Sequence, residues 1–182
     1  MARLTSLTSP VLLWLARWAE NTEFFTYIRS SAYTYPVILS LHMVAIALFG
    51  AMILLTDLRL LGWAMRSCSV SDIVDQLRVP KRIGFLFAAT CGILLLGSKA
   101  EDYYYNIFFR IKLTLFMLVI VHALVFRESV YGRAAELDRG QQIPGRAKLA
   151  AVLSLILWVS IFSAGRGIGF ILAPSGLHYG VP

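Results

Sequence analysis

The stretch YPVILSLHMVAIALFGAMILLTDLRLLG, Tyr35 to Gly62, decides the reading of this chain. From Val37 to Thr56 it runs twenty residues without an Asp, Glu, Lys or Arg. An α-helix needs about 20 apolar residues, at ~1.5 Å each, to cross a hydrocarbon core of roughly 30 Å. The stretch therefore reads as a membrane span. Inside it stands His42, an ionisable group that is costly to leave unpaired in hydrocarbon, and Asp57-Leu58-Arg59 follows directly.

Composition extends this reading to the whole chain. Of 182 residues, 58% are hydrophobic and 15% charged, with a mean hydropathy of +0.71, whereas an average soluble domain is about 25% charged. The segments between apolar runs are too short for a soluble domain, so a polytopic membrane protein is expected. The net charge of +7 does not point to nucleic acid, because the basic residues lie between spans, where they set orientation and meet anionic headgroups. Cys68 falls in a loop and Cys91 in an apolar run, so a disulfide between them is not expected.

Residues 1 to 36 carry no short apolar core followed by a small-residue cleavage site, so no removed signal peptide is read there. Ser9-Pro10 has the form of a helix start. The following VLLWLARWAE is too short to span; with Trp14 and Trp18 four residues apart and Arg17 and Glu20 to one side, it reads as an amphipathic helix lying at the interface. Aromatic residues from Phe24 to Tyr35 continue that belt to Pro36.

Three further apolar runs follow. Ile83 to Ser98 is rich in Gly and Ala, which let a neighbouring helix approach closely. Leu113 to Phe126 is preceded by Arg110 and Lys112, and Leu149 to Gly165 ends in GRGIGFILAP. A fifth span before Tyr35 would have to bury Glu20, Glu23 and Arg29. The expected fold is all-α: a polytopic four-helix membrane bundle with an N-terminal interfacial amphipathic helix. Its parts are an N-terminal segment 1 to 34, a bundle 35 to 174 with spans near 36 to 57, 82 to 99, 108 to 127 and 148 to 166, and a tail 175 to 182. Ser71-Asp72 before IVDQLRV is expected to cap a short separate helix ended by Pro80.

Arg59, Arg66, Arg78, Lys81 and Arg82 lie in one loop, and Arg127, Arg133, Arg139, Arg146 and Lys148 in another on the same face. Those ten bases stand against seven on the opposite face, so the positive-inside rule makes the two loops cytoplasmic and both termini periplasmic.

The candidate chemistry centres on His42, as a ligand to haem b or a metal, or as a quinone or proton partner. The plain alternative is a histidine hydrogen-bonded at a helix interface. His122 is the natural second ligand, since paired histidines on facing spans hold haem in membrane cytochromes. The expected depths oppose that pairing, with an offset of roughly 10 Å at ~1.5 Å per residue. Met117 lies nearer the depth of His42 and offers a His/Met pair. His42, Met43 and His122 are the candidate ligands for a soft metal such as copper, although methionine in a span is ordinarily packing material. Lys112, about a turn inside its span, is a candidate contact for a quinone headgroup or haem propionate, within a rim that includes Lys99, Glu101, Asp102 and Tyr103 to Tyr105. Asp57 and Arg59 read as an ion-pair seal with Arg82 or the loop bases, or else as a proton entrance. His178 lies in the tail. No metalloprotease, Cys-x-x-Cys, phosphate-loop or nucleophile-elbow motif occurs.

Tyr35-Pro36, Leu41-His42, Gly50, DLRLLG at 57 to 62, RIG at 82 to 84 and FRIKL at 109 to 113 together resemble a family of small bacterial integral membrane proteins with no assigned function, over about residues 30 to 130. The resemblance implies an inner-membrane bundle and supplies no activity. The chain is loosely similar to four-helix b-type cytochromes, but departs from their two-haem pattern, which needs four ligating histidines.

The leading expectation is a redox or electron-transfer subunit holding haem b or a quinone near His42 and serving a periplasmic redox partner. Beside it stand a cofactor-free accessory subunit that oligomerises or docks onto a larger membrane complex, and a carrier for a metal or small solute.

Overall fold

The computed structural model describes residues 10–127, 130, 138 and 143–172. The Ser9 cap, Arg133, Arg139, Pro174, His178 and the tail lie outside the described residues. Seven helices carry the described chain: α1 Pro10–Glu20, α2 Glu23–Ser30, α3 Thr34–Leu61, α4 Val70–Ser98, α5 Ala100–Tyr105, α6 Ile107–Arg127 and α7 Gly145–Leu172. No strand occurs among the described residues. Four helices, α3, α4, α6 and α7, are long and apolar enough to cross a membrane. Their outward side chains include Leu48, Leu86, Ile93, Leu124, Val125 and Val159, all more than half exposed. Apolar surface on this scale is what a bundle presents to lipid rather than water.

Each helix boundary has a local cause. Helix α3 ends at Gly62, whose φ of 74° lies in the left-handed region that glycine adopts without strain. The Gly62 N–H donates to the Arg59 carbonyl and the Trp63 N–H to the Leu58 carbonyl, closing the helix. Helix α4 begins at Ser69, whose hydroxyl accepts from the Asp72 N–H at 3.0 Å. Asp138 satisfies the two N–H groups before it, accepting from Val70 at 2.6 Å and Ser71 at 2.9 Å. Asn106 starts α6 by accepting from the N–H groups of Phe108 and Phe109.

Pro80 does not end a short helix, as its sequence context predicts; it lies inside the continuous α4. The proline ring leaves the Gln76 carbonyl without its usual partner. Gln76 and Pro80 are both exposed, so this carbonyl is open to solvent donors. The helix thus extends a dozen residues before the expected span start at 82.

Helix α3 packs against α4 and α7, and α6 packs against α7, giving the order α4, α3, α7, α6 across the bundle. At the end where α3 leads into α4, called here the loop end, Leu60, Val70, Val130, Ala147, Ala150 and Ala151 form a buried core. At the opposite, cap end, α1 packs on α5 and α2 on α4. Glu20 joins these pieces: it pairs with Arg29 of α2 and accepts the Glu101 N–H of α5 at 2.8 Å. Arg17 reaches Glu101 at 2.7 Å. The close seat of α2 needs Gly97, since a Cβ there would stand 2.3 Å from the Phe25 ring.

Candidate functional site

His42 sits in the cap-end half of α3, where α4 passes close enough to place Gly92 under its ring. A Cβ at Gly92 would come within 3.1 Å of His42 Cε1. His42 Nδ1 lies 2.9 Å from the Ala88 carbonyl oxygen, one turn earlier in α4. A carbonyl only accepts, so Nδ1 carries the proton and donates. Nε2 is left as the ring's acceptor.

Lys112 of α6 lies within electrostatic reach of His42. It also approaches α7, where a Cβ on Gly165 would stand 3.9 Å from its Nζ. Helices α3 and α6 are not among the closely packed pairs, and Lys112 Nζ also lies 5.9 Å from the centroid of the Phe116 ring. In the rim, the Glu101 carboxylate is engaged by Arg17 and its N–H by Glu20. Above the site, Lys99 Nζ lies 4.8 Å from the centroid of the Tyr35 ring. Burial first, and then the neighbouring Tyr35, push the Tyr103 phenol of α5 well above its ordinary range, so Tyr103 stays a neutral hydroxyl.

His122 is elsewhere. Its Nε2 donates to the Ala150 carbonyl at 2.9 Å and its ring lies against Phe126, strapping α6 to α7 near the loop end. Ten residues of α6 separate His122 from Lys112, about 15 Å at ~1.5 Å per residue. One metal held by both histidines would need their nitrogens about 4 Å apart, given metal–nitrogen bonds of about 2 Å. The structure therefore does not bring His42 and His122 together. Met117 is 62% exposed and Met43 42% exposed; both face outward, away from the inter-helix side of His42. Among the described residues no group of three or more His, Cys, Asp or Glu could hold a metal ion.

Sequence reasoning singles out Asp57 but misses Thr56 and Ser154, which join it in a second polar site. Asp57 is 1% exposed and makes no ion pair with Arg82 or another base among the described residues. Ser154 of α7 hydrogen-bonds its carboxylate, and Lys81 of α4 is the charge acting on it. Lys81 Nζ donates to Thr56 Oγ1 at 2.5 Å. Arg59 instead donates to the Cys68 carbonyl at 2.7 Å. Placing the second span's start at Arg82 assigned Lys81 to the loop; the signal that could have found it was the apolar periodicity running back through Ile73 and Leu77.

Fold and site define a four-span helical membrane protein with polar groups held between its helices. The chain belongs to a family of unknown function, DUF6644, whose model matches residues 15–171. No curated protein and no solved structure matches the chain.

Proposed function

We propose that the protein is an integral membrane redox subunit that binds a quinone headgroup between His42 and Lys112. The observation that carries this reading is the committed Nδ1–H of His42, which leaves Nε2 as an acceptor in the field of the Lys112 ammonium. Quinol hydroxyls donate and quinone carbonyls accept, so this pair of groups suits both members of the couple. On oxidation of a bound quinol, two electrons leave to a redox partner protein, one hydroxyl proton passes to His42 Nε2 and the other to water at the cap end. We place the protein in the bacterial inner membrane, with the two long loops cytoplasmic and the partner periplasmic.

Haem b is the second reading, favoured by the same bond: a metal-ligating histidine ordinarily donates its other N–H to a carbonyl or carboxylate. Its weakness is the sixth position, for which neither His122 nor Met117 is near.

The test is titration of the nanodisc-embedded protein with a short-chain quinone analogue, followed by tryptophan quenching. Trp158 lies against Phe49 at 5.2 Å, seven residues from His42 and so about 10 Å along α3. Saturable quenching is expected, weakened about tenfold or more in His42→Ala, which loses a half-buried hydrogen-bonding group, and unchanged in His122→Ala. A Soret band that disappears in His42→Ala selects haem instead. A colourless protein without saturable quenching rejects both and leaves the accessory-subunit reading.

A further inference from the structure

The cluster around Asp57 lies fifteen residues from His42 along α3, about 22 Å at ~1.5 Å per residue, and the proposed quinone chemistry does not use it. Three helices meet there. Helix α3 contributes Thr56 and Asp57, 2% and 1% exposed, and α7 contributes Ser154, 6% exposed. Helix α4 contributes Lys81. Asp57 Oδ2 is buried and has no hydrogen-bond partner.

Three ordinary explanations fit poorly. A permanent ion-pair seal would bring Asp57 and Lys81 into contact, because separated buried charges recover little of their desolvation cost. No Asp57–Lys81 ion pair occurs among the described residues; Lys81 is tied to Thr56, whose own hydroxyl donates to the Met52 carbonyl at 3.1 Å. A structural carboxyl would have both oxygens satisfied. A sodium site would need several oxygens converging on the ion and would add a second cation beside the Lys81 ammonium. A proton needs one free carboxylate oxygen and no further ligand. Asp57 stands four residues before the end of α3 at Leu61, about 6 Å from the loop end, near enough to exchange with water there.

We propose that Asp57 is an intramembrane proton-binding site, held by Ser154 and set beside the Thr56-bound Lys81, that exchanges protons with the aqueous phase at the loop end. Oδ2 takes up the proton and the carboxylate becomes a neutral acid. Among the described residues, Lys81 from α4 is the charged group acting on Asp57, and α7 contributes the uncharged Ser154 hydroxyl. Ionisable residues inside spans are ordinarily functional.

A hydrophobic carbodiimide, which reacts with protonated carboxyls within membranes, tests this in the wild-type protein in lipid, with the modified residue located by mass spectrometry. Labelling of Asp57 is expected to fall as pH rises, approaching about tenfold per pH unit on the alkaline side of a single titrating site, and to be unaffected by sodium. Asp57→Asn should lose that label while the label on other carboxyls persists. No label on Asp57 at any pH, or equal label at every pH, overturns the proposal in favour of a fixed ionic or fixed neutral group. Protection by sodium at constant pH overturns it in favour of a cation site. The readout is independent of His42, so failure here leaves the quinone reading standing and the converse also holds.

Discussion

At the scale of single residues, position 92 is where the smallest change meets His42. A methyl there stands 3.1 Å from Cε1, and the ring is held both by its own helix and by the bond to Ala88. The ring must move by a few tenths of an ångström, and hydrogen bonds weaken as they are bent or stretched. Gly92→Ala is therefore expected to weaken quinone-analogue binding about threefold to tenfold, roughly 0.7–1.4 kcal/mol, while circular dichroism stays unchanged. Unaltered quenching in this variant would count against a ligand at His42. The sequence made His42 visible as an ionisable group in a span, because hydrocarbon singles out such residues. Its tautomer was not visible, because the carbonyl that sets it belongs to a residue 46 positions away.

At the scale of elements, α4 shows how a helix start depends on distant chain. Ser69 satisfies the Asp72 N–H, but the Val70 and Ser71 N–H groups depend on Asp138. Burial acts to raise the Asp138 carboxyl, yet hydrogen bonds from Ser71 and Val70 and the nearby Arg59 outweigh it and hold the group below its ordinary value of 3.8. A depressed carboxylate contributes stability that is fully present above 3.8 and is lost as pH falls through the lower folded value. Asp138→Ala at neutral pH is expected to remove the two bonds to Val70 and Ser71, costing about 1 kcal/mol by comparison with helix caps. The check is amide hydrogen exchange: Val70 and Ser71 should exchange about fivefold faster, the equivalent of about 1 kcal/mol, while the α6 amides remain unchanged. The sequence context of Ser71-Asp72 points to a helix start within two residues of the true cap. It misplaces the helix end, because an exposed proline costs less when water can satisfy the freed carbonyl.

At the scale of the whole molecule, the unequal distribution of Lys and Arg sets the proposed orientation, and Cys68 offers a direct check. It is exposed in the loop between α3 and α4, whereas Cys91 is buried. A membrane-impermeant maleimide is expected to leave Cys68 unmodified in intact spheroplasts and to label it after lysis; labelling before lysis would reverse the orientation. The sequence by itself determined the helical class, the four membrane-crossing helices and the presence of His42 and Asp57 within them. It could do so because bilayer thickness and backbone hydrogen bonding leave a long apolar segment one outcome, and an apolar segment is a property of consecutive residues. Only the tertiary structure decided that His42 turns to α4, that His122 straps α6 to α7 at the other end, and that Asp57 meets Lys81 and Ser154. Those facts depend on helix order, rotation and depth, which arise from small-residue contacts such as Gly92 under His42 and Gly97 under Phe25, made between segments far apart in the chain.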